Sequence, residues 1–338
     1  MSSPSNLKDV AAAAGVSIST ASRALADKPS ISVTTRNRVR EVAKELNYQP
    51  NVQARGLRNS RTKLIGLAIP TLNNPYFATM AATIQKCATQ HGQTTLITTS
   101  DEDPVQFETA IHSLSQMRVD GMIVVPSEDC AELLRDTRDA GTPIVLIDRT
   151  VPETNLDAYV SDPLPGLRAA LRTLQELGHT HIGFLSGPQS TSTGVARLAA
   201  FNAVCQELGL GDTEVYPGGY EVTQGIEGAR ELLSRGVTAL IAGDSMMTFG
   251  ALDYCYSTSI AVGTALAFVG FDDLFYMSLQ PTPISVIDQD VVAMSTRAHA
   301  GLCELIDAKR PQPPPGDLAT TFIPRATTCC GPHETSRR

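Results

Sequence analysis

No apolar run in the 338-residue chain approaches the length of a bilayer span, and its first ten residues, MSSPSNLKDV, hold nothing that could act as a secretion signal. A cytoplasmic protein without a membrane partner is expected. Catalytic signatures are missing too: there is no glycine-rich phosphate loop with its lysine and no G-x-S-x-G turn. His179 and His181 form an H-x-H pair but have no third ligand near them in sequence, which argues against a metal. Asp272 and Asp273 are adjacent, so their side chains diverge in a strand or turn and make a poor acid/base couple. The seven cysteines are odd in number and show neither disulfide nor zinc-ligand spacing; they read as reduced thiols. No enzyme and no cofactor is expected.

What is present is a charge asymmetry. The net charge is -8, which on its face argues against nucleic acid. Yet residues 1–63 carry 11 Lys and Arg against 4 Asp and Glu, while the remaining residues carry 16 against 31. A basic head on an acidic body is the electrostatic footprint of a nucleic-acid-binding module. The length suits two or three domains at roughly 150 residues each, and 42% hydrophobic residues can fill their cores.

Within the head, Leu7, Val10, Ala11 and Ala14 recur at helical spacing, Gly15 suits the left-handed residue after a helix end, and Ser17 suits the cap of a second helix from Ile18. Ala21, Ala24 and Leu25 can pack back on the first helix. That leaves Ile18, Ser19, Thr20, Ser22 and Arg23 facing outward. Such a small, polar face fits a major groove, where Arg can bond guanine twice. On spacing alone, an ordinary helical hairpin fits equally well. After a DKPS turn, Ser32 caps a third helix with Val39, Val42, Ala43 and Leu46 as its apolar stripe, and Pro50 closes the head. Asn51 to Arg61 carries three arginines and little apolar surface; it is too polar to fold alone, and a plain basic linker is the alternative reading.

From Leu64 short apolar runs (LIGLAI, TTLITT, GMIVV, IVLI) alternate with helical segments, and a second round follows from Tyr159 (HIGFLS, ALIAG, ALAFVGF). Alternation of this kind makes a parallel sheet covered on both faces, so the body should be two similar lobes. Ligands of open parallel sheets lie beyond the carboxyl ends of the strands. The residues there are Asn73, Asn74, Tyr76, Phe77, Asp148, Arg149, Arg197 after the GPQSTSTG loop, Tyr220, Asp244, Asp272 and Gln289. Carboxylates, arginines, amides and aromatic faces together suit the vicinal hydroxyls and C–H faces of a sugar. A strand-end Asp such as Asp148 or Asp272 equally suits the cap of the next helix.

DVAAAAGVSISTASRAL, NYQPN at Asn47 to Asn51 and ARGLR at Ala54 to Arg58 together resemble the LacI family of bacterial transcription regulators, and the resemblance runs through almost the whole chain. It implies a helical head (1–50), a hinge (51–63), and an α/β body of two doubly wound parallel-sheet lobes. These are lobe 1 (64–161, with part of 290–324) and lobe 2 (162–289), followed by a C-terminal tail (325–338). It assigns DNA contact to Ser17, Ile18, Ser19, Thr20, Arg23, Asn51, Arg55 and Leu57, with Leu57 at the position that wedges into the minor groove. TLNNPYF, LIDR, Arg197 before LAAF, Tyr220, GFD and Gln289 are similar to the ribose-contacting motifs of ribose-type binding proteins and repressors. A homodimeric repressor released from its operator by ribose, or by a related pentose or nucleoside, is the implied machine. Control by a purine or a phosphocarrier protein, and a sugar sensor without DNA contact, are the alternatives. One departure is Asp244-Ser245, where relatives usually carry Asn-Asp.

Overall fold

The computed structural model describes residues 5–48, 61–308 and 316–332. Asn51, Arg55 and Leu57 of the expected hinge lie outside the described residues. Two compact units result, Met1–Thr62 and Lys63–Arg338.

The first unit contains α1 (Leu7–Ala14), α2 (Ile18–Leu25) and α3 (Val33–Glu45). Local chemistry sets each boundary. Asn6 and Asp9 form a capping box at the start of α1, and Gly15 ends that helix with φ 68°. Ser17 and Ser32 cap α2 and α3 by accepting from the amides of Thr20 and Thr35. Val10, Ala11, Ala14, Ala21, Ala24, Val39 and Ala43 close the core. Its small residues let three short helices approach closely.

The second unit opens with lobe 1: β1 (Leu64–Ile69), α4 (Pro75–Gln90), β2 (Thr94–Thr99), α5 (Pro104–Gln116), β3 (Gly121–Val124), α6 (Ala131–Asp139), β4 (Ile144–Ile147) and β5 (Ala158–Tyr159). β6 (Ser161–Asp162) leads into lobe 2, with α7 (Leu164–Glu176), β7 (Ile182–Ser186), α8 (Ser192–Leu208), β8 (Thr213–Pro217), α9 (Val222–Ser234) and β9 (Ala239–Ala242). Lobe 2 continues through α10 (Ser245–Ser257), β10 (Ala267–Phe271), α11 (Phe275–Ser278) and β11 (Ser285–Asp288). α12 (Val291–Ile306), β12 (Leu318–Ala319) and β13 (Thr321–Ile323) end the chain's regular structure.

The lobe 1 sheet runs β2-β1-β3-β4-β5 and the lobe 2 sheet β13-β11-β10-β9-β7-β8. Read from its first strand, each lobe therefore has the same doubly wound order. All these pairings are parallel except β11 with β13. The inner strands β3, β4 and β9 are buried throughout, because helices cover both faces; this is why they read as unbroken apolar runs.

Three features add to the sequence reading. β8 has no counterpart there, since TEVYP is half-polar and lies at the sheet edge. Residues 290–324 divide: Met294, Ala298 and Leu302 of α12 join the lobe 1 core, whereas β13 pairs with β11 in lobe 2. The expected tail is docked at its start, where Thr327 Oγ1 donates to the Phe268 carbonyl at 2.7 Å and accepts from Ser285 N at 2.8 Å. Those bonds satisfy backbone groups buried beside β10 and β11, a role that apolar patterning does not reveal. Residues 333–338 lie outside the described residues.

α9 and α10 cross at two glycines. A Cβ on Gly250 would run into the Val222 carbonyl oxygen and lie 2.8 Å from Gly225 Cα. Backbone cannot yield as a flexible side chain would. Gly250→Ala is therefore expected to cost about 2–3 kcal/mol, measured as a lower urea midpoint of the body; an unchanged midpoint would refute the close crossing.

Candidate functional site

The carboxyl ends of both sheets face one cavity with an empty volume of about 280 Å³. Ten of the eleven strand-end residues line it: Asn74, Tyr76, Phe77, Asp148, Arg149, Arg197, Tyr220, Asp244, Asp272 and Gln289; Asn73 instead lines a separate groove beside α4. Thr193 lines it as well, and the sequence reading missed it. It sits in the first turn of α8 among several hydroxyl residues, with nothing local to single it out.

Lobe 1 contributes a cap, a pair of rings and an ion pair. Asn74 caps α4, accepting from Tyr76 N at 3.0 Å, while Pro75 holds the first helical position. This places Tyr76 and Phe77 in the first turn beside the strand ends, their rings edge to face at 5.2 Å. Tyr76 donates its hydroxyl to Asp148 Oδ1 at 2.8 Å. Burial, with the nearby Asp148 and Asp272 carboxylates, holds that hydroxyl un-ionised.

Asp148 follows β4 and Asp272 follows β10, at equivalent places in the two lobes, and both take left-handed backbone with φ 70° and 66°. Neither is a helix cap; Asn74 and Asp244 play that part. The capping alternative fails at Asp148 and Asp272, and their strained backbone keeps both carboxyl groups at the cavity wall.

Lobe 2 contributes a buried polar network. Arg197, from the middle of α8, donates to the Gly243 carbonyl at 2.8 Å and to Gln289 Oε1 at 2.9 Å, with its guanidinium 4.3 Å from the Phe271 ring centre. Gln289 Oε1 also accepts from Ser161 at 2.7 Å, and its Nε2 donates to Asp272 at 2.6 Å. Gln289 thereby joins the crossing segment to the pocket. Tyr220 shares its hydroxyl with Thr191 and Thr193 at 2.8 and 2.7 Å. Burial pushes Asp272 up to about 7 against the opposing pull of Arg197 and Gln289. Asp244 is pushed up to about 6 by burial, opposed by the Met247 amide and Arg197.

Contacts also pass directly between the lobes. Ser245 donates to Asn74 Oδ1 at 3.2 Å, and the Arg149 guanidinium lies 5.1 Å from the Tyr220 ring centre. Arg149 is 3% exposed, and its Nε has no hydrogen-bond partner. That Nε faces Asp148 Oδ2 at 3.6 Å, an ion pair too long to be a hydrogen bond, so the buried donor can still take up a ligand acceptor.

In the helical head, Ser17, Ile18, Ser19 and Arg23 are exposed and Thr20 is half-buried. Ile18 shows 48% of its surface, unusual for an isoleucine on so small a unit. The Ser17 hydroxyl is engaged as the α2 cap and contacts the hydroxyls of Ser19 and Thr20 at 3.0 and 2.8 Å. Ser17 thus organises the turn, and Ser19 and Arg23 lie further along the open face. His179, by contrast, is structural: its ring bonds Thr238 Oγ1 at 3.0 Å and the Cys330 carbonyl at 3.1 Å, tying down the C-terminal segment.

Residues 6–51 match the model of bacterial regulatory proteins of the lacI family, and residues 62–297 match that of periplasmic binding proteins and the sugar-binding domain of the LacI family. The chain is 31% identical to the HTH-type transcriptional regulator DegA of Bacillus subtilis over 297 residues, 86% of this chain and 88% of DegA. A crystal structure of a probable LacI family regulator from Corynebacterium glutamicum superposes with a TM-score of 0.73 at 39% identity, covering 78% of this chain and 98% of that one. The lac repressor dimer bound to operator and the anti-inducer ONPF superposes at 0.85 with 26% identity, covering 96% and 99%. Among the described residues no helix is long and apolar enough to cross a membrane. The relatives are regulators, not enzymes, and with both parts of the chain matched in order, this chain belongs to the LacI family of bacterial transcriptional regulators.

Proposed function

We propose that this regulator is a homodimeric repressor whose operator affinity is set by ribose, or a related pentose or nucleoside, bound between the lobes of its body. The observation that carries the ligand class is a small cavity walled by three carboxyl groups, two arginines and two tyrosines, with the Nε of buried Arg149 held by no hydrogen bond and 3.6 Å from Asp148 Oδ2. Carboxylates accept from vicinal hydroxyls, Arg149 donates to a sugar oxygen, and Phe77 covers a C–H face.

Because both lobes line the cavity, a ligand favours one inter-lobe angle. A coupling on the order of 1–3 kcal/mol between that angle and the heads suffices for regulation. Dimerisation follows the lac repressor, which binds its operator as a dimer, and two-fold operators require paired heads. Leu57 is proposed as the minor-groove wedge, with Asn51 and Arg55 beside it. Ile18, Ser19, Thr20 and Arg23 are proposed to face the base edges.

The test is a calorimetric titration with ribose, other pentoses, nucleosides and a purine base, with and without operator DNA selected from a random pool. Ribose binding that weakens on DNA is the expected result, since linkage is mutual. Tight binding of a purine alone would replace the sugar reading. For the head, Arg23→Ala is expected to relax base preference at one operator position by about 1–3 kcal/mol; unchanged selection across operator variants would reject its role.

A further inference from the structure

Glu102 lies just after β2, outside the ten pocket positions, yet it controls one of them. Its carboxylate receives both terminal nitrogens of Arg149, at 2.6 and 2.7 Å. The backbone is bent to allow this: Asp101 and Glu102 are consecutive left-handed residues, with φ 48° and 59°. The turn is pinned by Asp101 N donating to the Pro70 carbonyl at 2.7 Å and Asp103 N to the Ser100 carbonyl at 2.8 Å. Two adjacent non-glycine residues in that region persist only where surrounding structure enforces them. Arg149 also donates to the Pro126 carbonyl at 3.2 Å, and its Nε, which makes no hydrogen bond, lies 3.6 Å from Asp148 Oδ2.

The charges that face the ligand follow. The Arg149 fork, the natural clamp for a phosphate or carboxylate, is filled by a protein carboxylate. Arg197 gives one bond from each terminal nitrogen to the Gly243 carbonyl and Gln289. Asp148, Asp244 and Asp272 remain around the cavity, all about 5% exposed.

We infer that Glu102 sets the charge class of ligand this pocket accepts: by occupying the Arg149 fork it reserves the site for an uncharged polyol and turns away acidic sugars. The inference rests on the effector-pocket reading above. Glu102 is a positioning residue, 37% exposed at its side chain, and it holds the Arg149 guanidinium at the cavity wall without lining the cavity itself.

The experiment compares ribose with ribonate, which adds a charge at nearly constant size, by calorimetric titration of the full-length protein and Glu102→Gln. The wild type is expected to bind ribose and to bind ribonate at least roughly tenfold more weakly. In Glu102→Gln that ratio is expected to fall by about tenfold, as the fork becomes free for the ribonate carboxylate. Glu102→Asp, which keeps the charge, is expected to retain discrimination. An unchanged ratio in Glu102→Gln, or equal binding of both ligands by the wild type, overturns the inference. If the wild type binds neither ligand, the sugar reading falls by itself. The charge rule is then read from inorganic phosphate: a rise in melting temperature with phosphate in Glu102→Gln alone supports it, and an equal response in both proteins overturns it.

Discussion

Replacing Arg197 with methionine is expected to abolish the effector response, lowering affinity by about 100-fold or more, and to cost about 3–5 kcal/mol of stability. Methionine fills much of the volume, so the loss reports charge and hydrogen bonds more than a cavity. Arg197 is 6% exposed. Burial pushes its pKa down, but Tyr220, Asp148, Asp272 and Asp244 together more than offset this and hold it above its usual value. Without the guanidinium, those carboxyl groups lose their shared cation, and the Gly243 carbonyl loses a donor. The stability deficit should shrink between pH 7.5 and 5.5, because protonated carboxyl groups no longer need that cation. Urea denaturation at the two pH values and calorimetric titration are the measurements. Wild-type affinity in the variant would remove Arg197 from the site, and a deficit independent of pH would remove the carboxylates from the explanation.

Asp272→Asn is expected to act oppositely on stability and binding. The folded protein holds the Asp272 carboxyl up to about 7, from an ordinary value of 3.8. Between those values the folded state keeps a proton that the unfolded chain releases. The favourable contribution of this group is thus complete at the acid end and is lost as pH rises toward 7. Asparagine has nearly the same shape, can still accept from Gln289, and never ionises. The variant should therefore be more stable than the wild type at pH 8, by about 2–4 kcal/mol, with the gap narrowing as pH falls and closing only near pH 4. Affinity for the proposed sugar effector should fall, because a neutral amide is a weaker acceptor for hydroxyl protons than a carboxylate. Melting temperatures of both proteins from pH 5 to 8 decide the matter, and parallel profiles would show that Asp272 ionises as freely as a surface carboxyl. Greater stability with poorer binding is the usual signature of a charge retained for function.

These effects concentrate at residues readable in advance because parallel-sheet geometry repeats. A strand ends where its apolar run ends, and the next residues must face the carboxyl side of the sheet. Asn74, Asp148, Asp244 and Asp272 were located by that rule alone. Their individual roles were not: Asn74 and Asp244 cap helices whereas Asp148 and Asp272 sit in left-handed turns, and in sequence all four are short polar residues after a strand. Glu102 and Thr193 escaped notice for a related reason. Each gains its role from a partner far along the chain, Arg149 for Glu102 and Tyr220 for Thr193. β8 was missed because an edge strand needs only one covered face and carries a weaker apolar signal.

The sequence by itself determined the helical head with its caps at Ser17 and Ser32 and its turn at Gly15, the two rounds of alternating strand and helix, and the division of charge between head and body. All of these depend on contacts within a few residues or on periodicity, which a linear chain displays directly. Only the tertiary structure decided which carboxylate faces which arginine, which donor stays unspent, and that the segment at Thr327 belongs to lobe 2. Those outcomes depend on distances between residues tens to hundreds of positions apart, and burial in a medium of low polarity sets their weight.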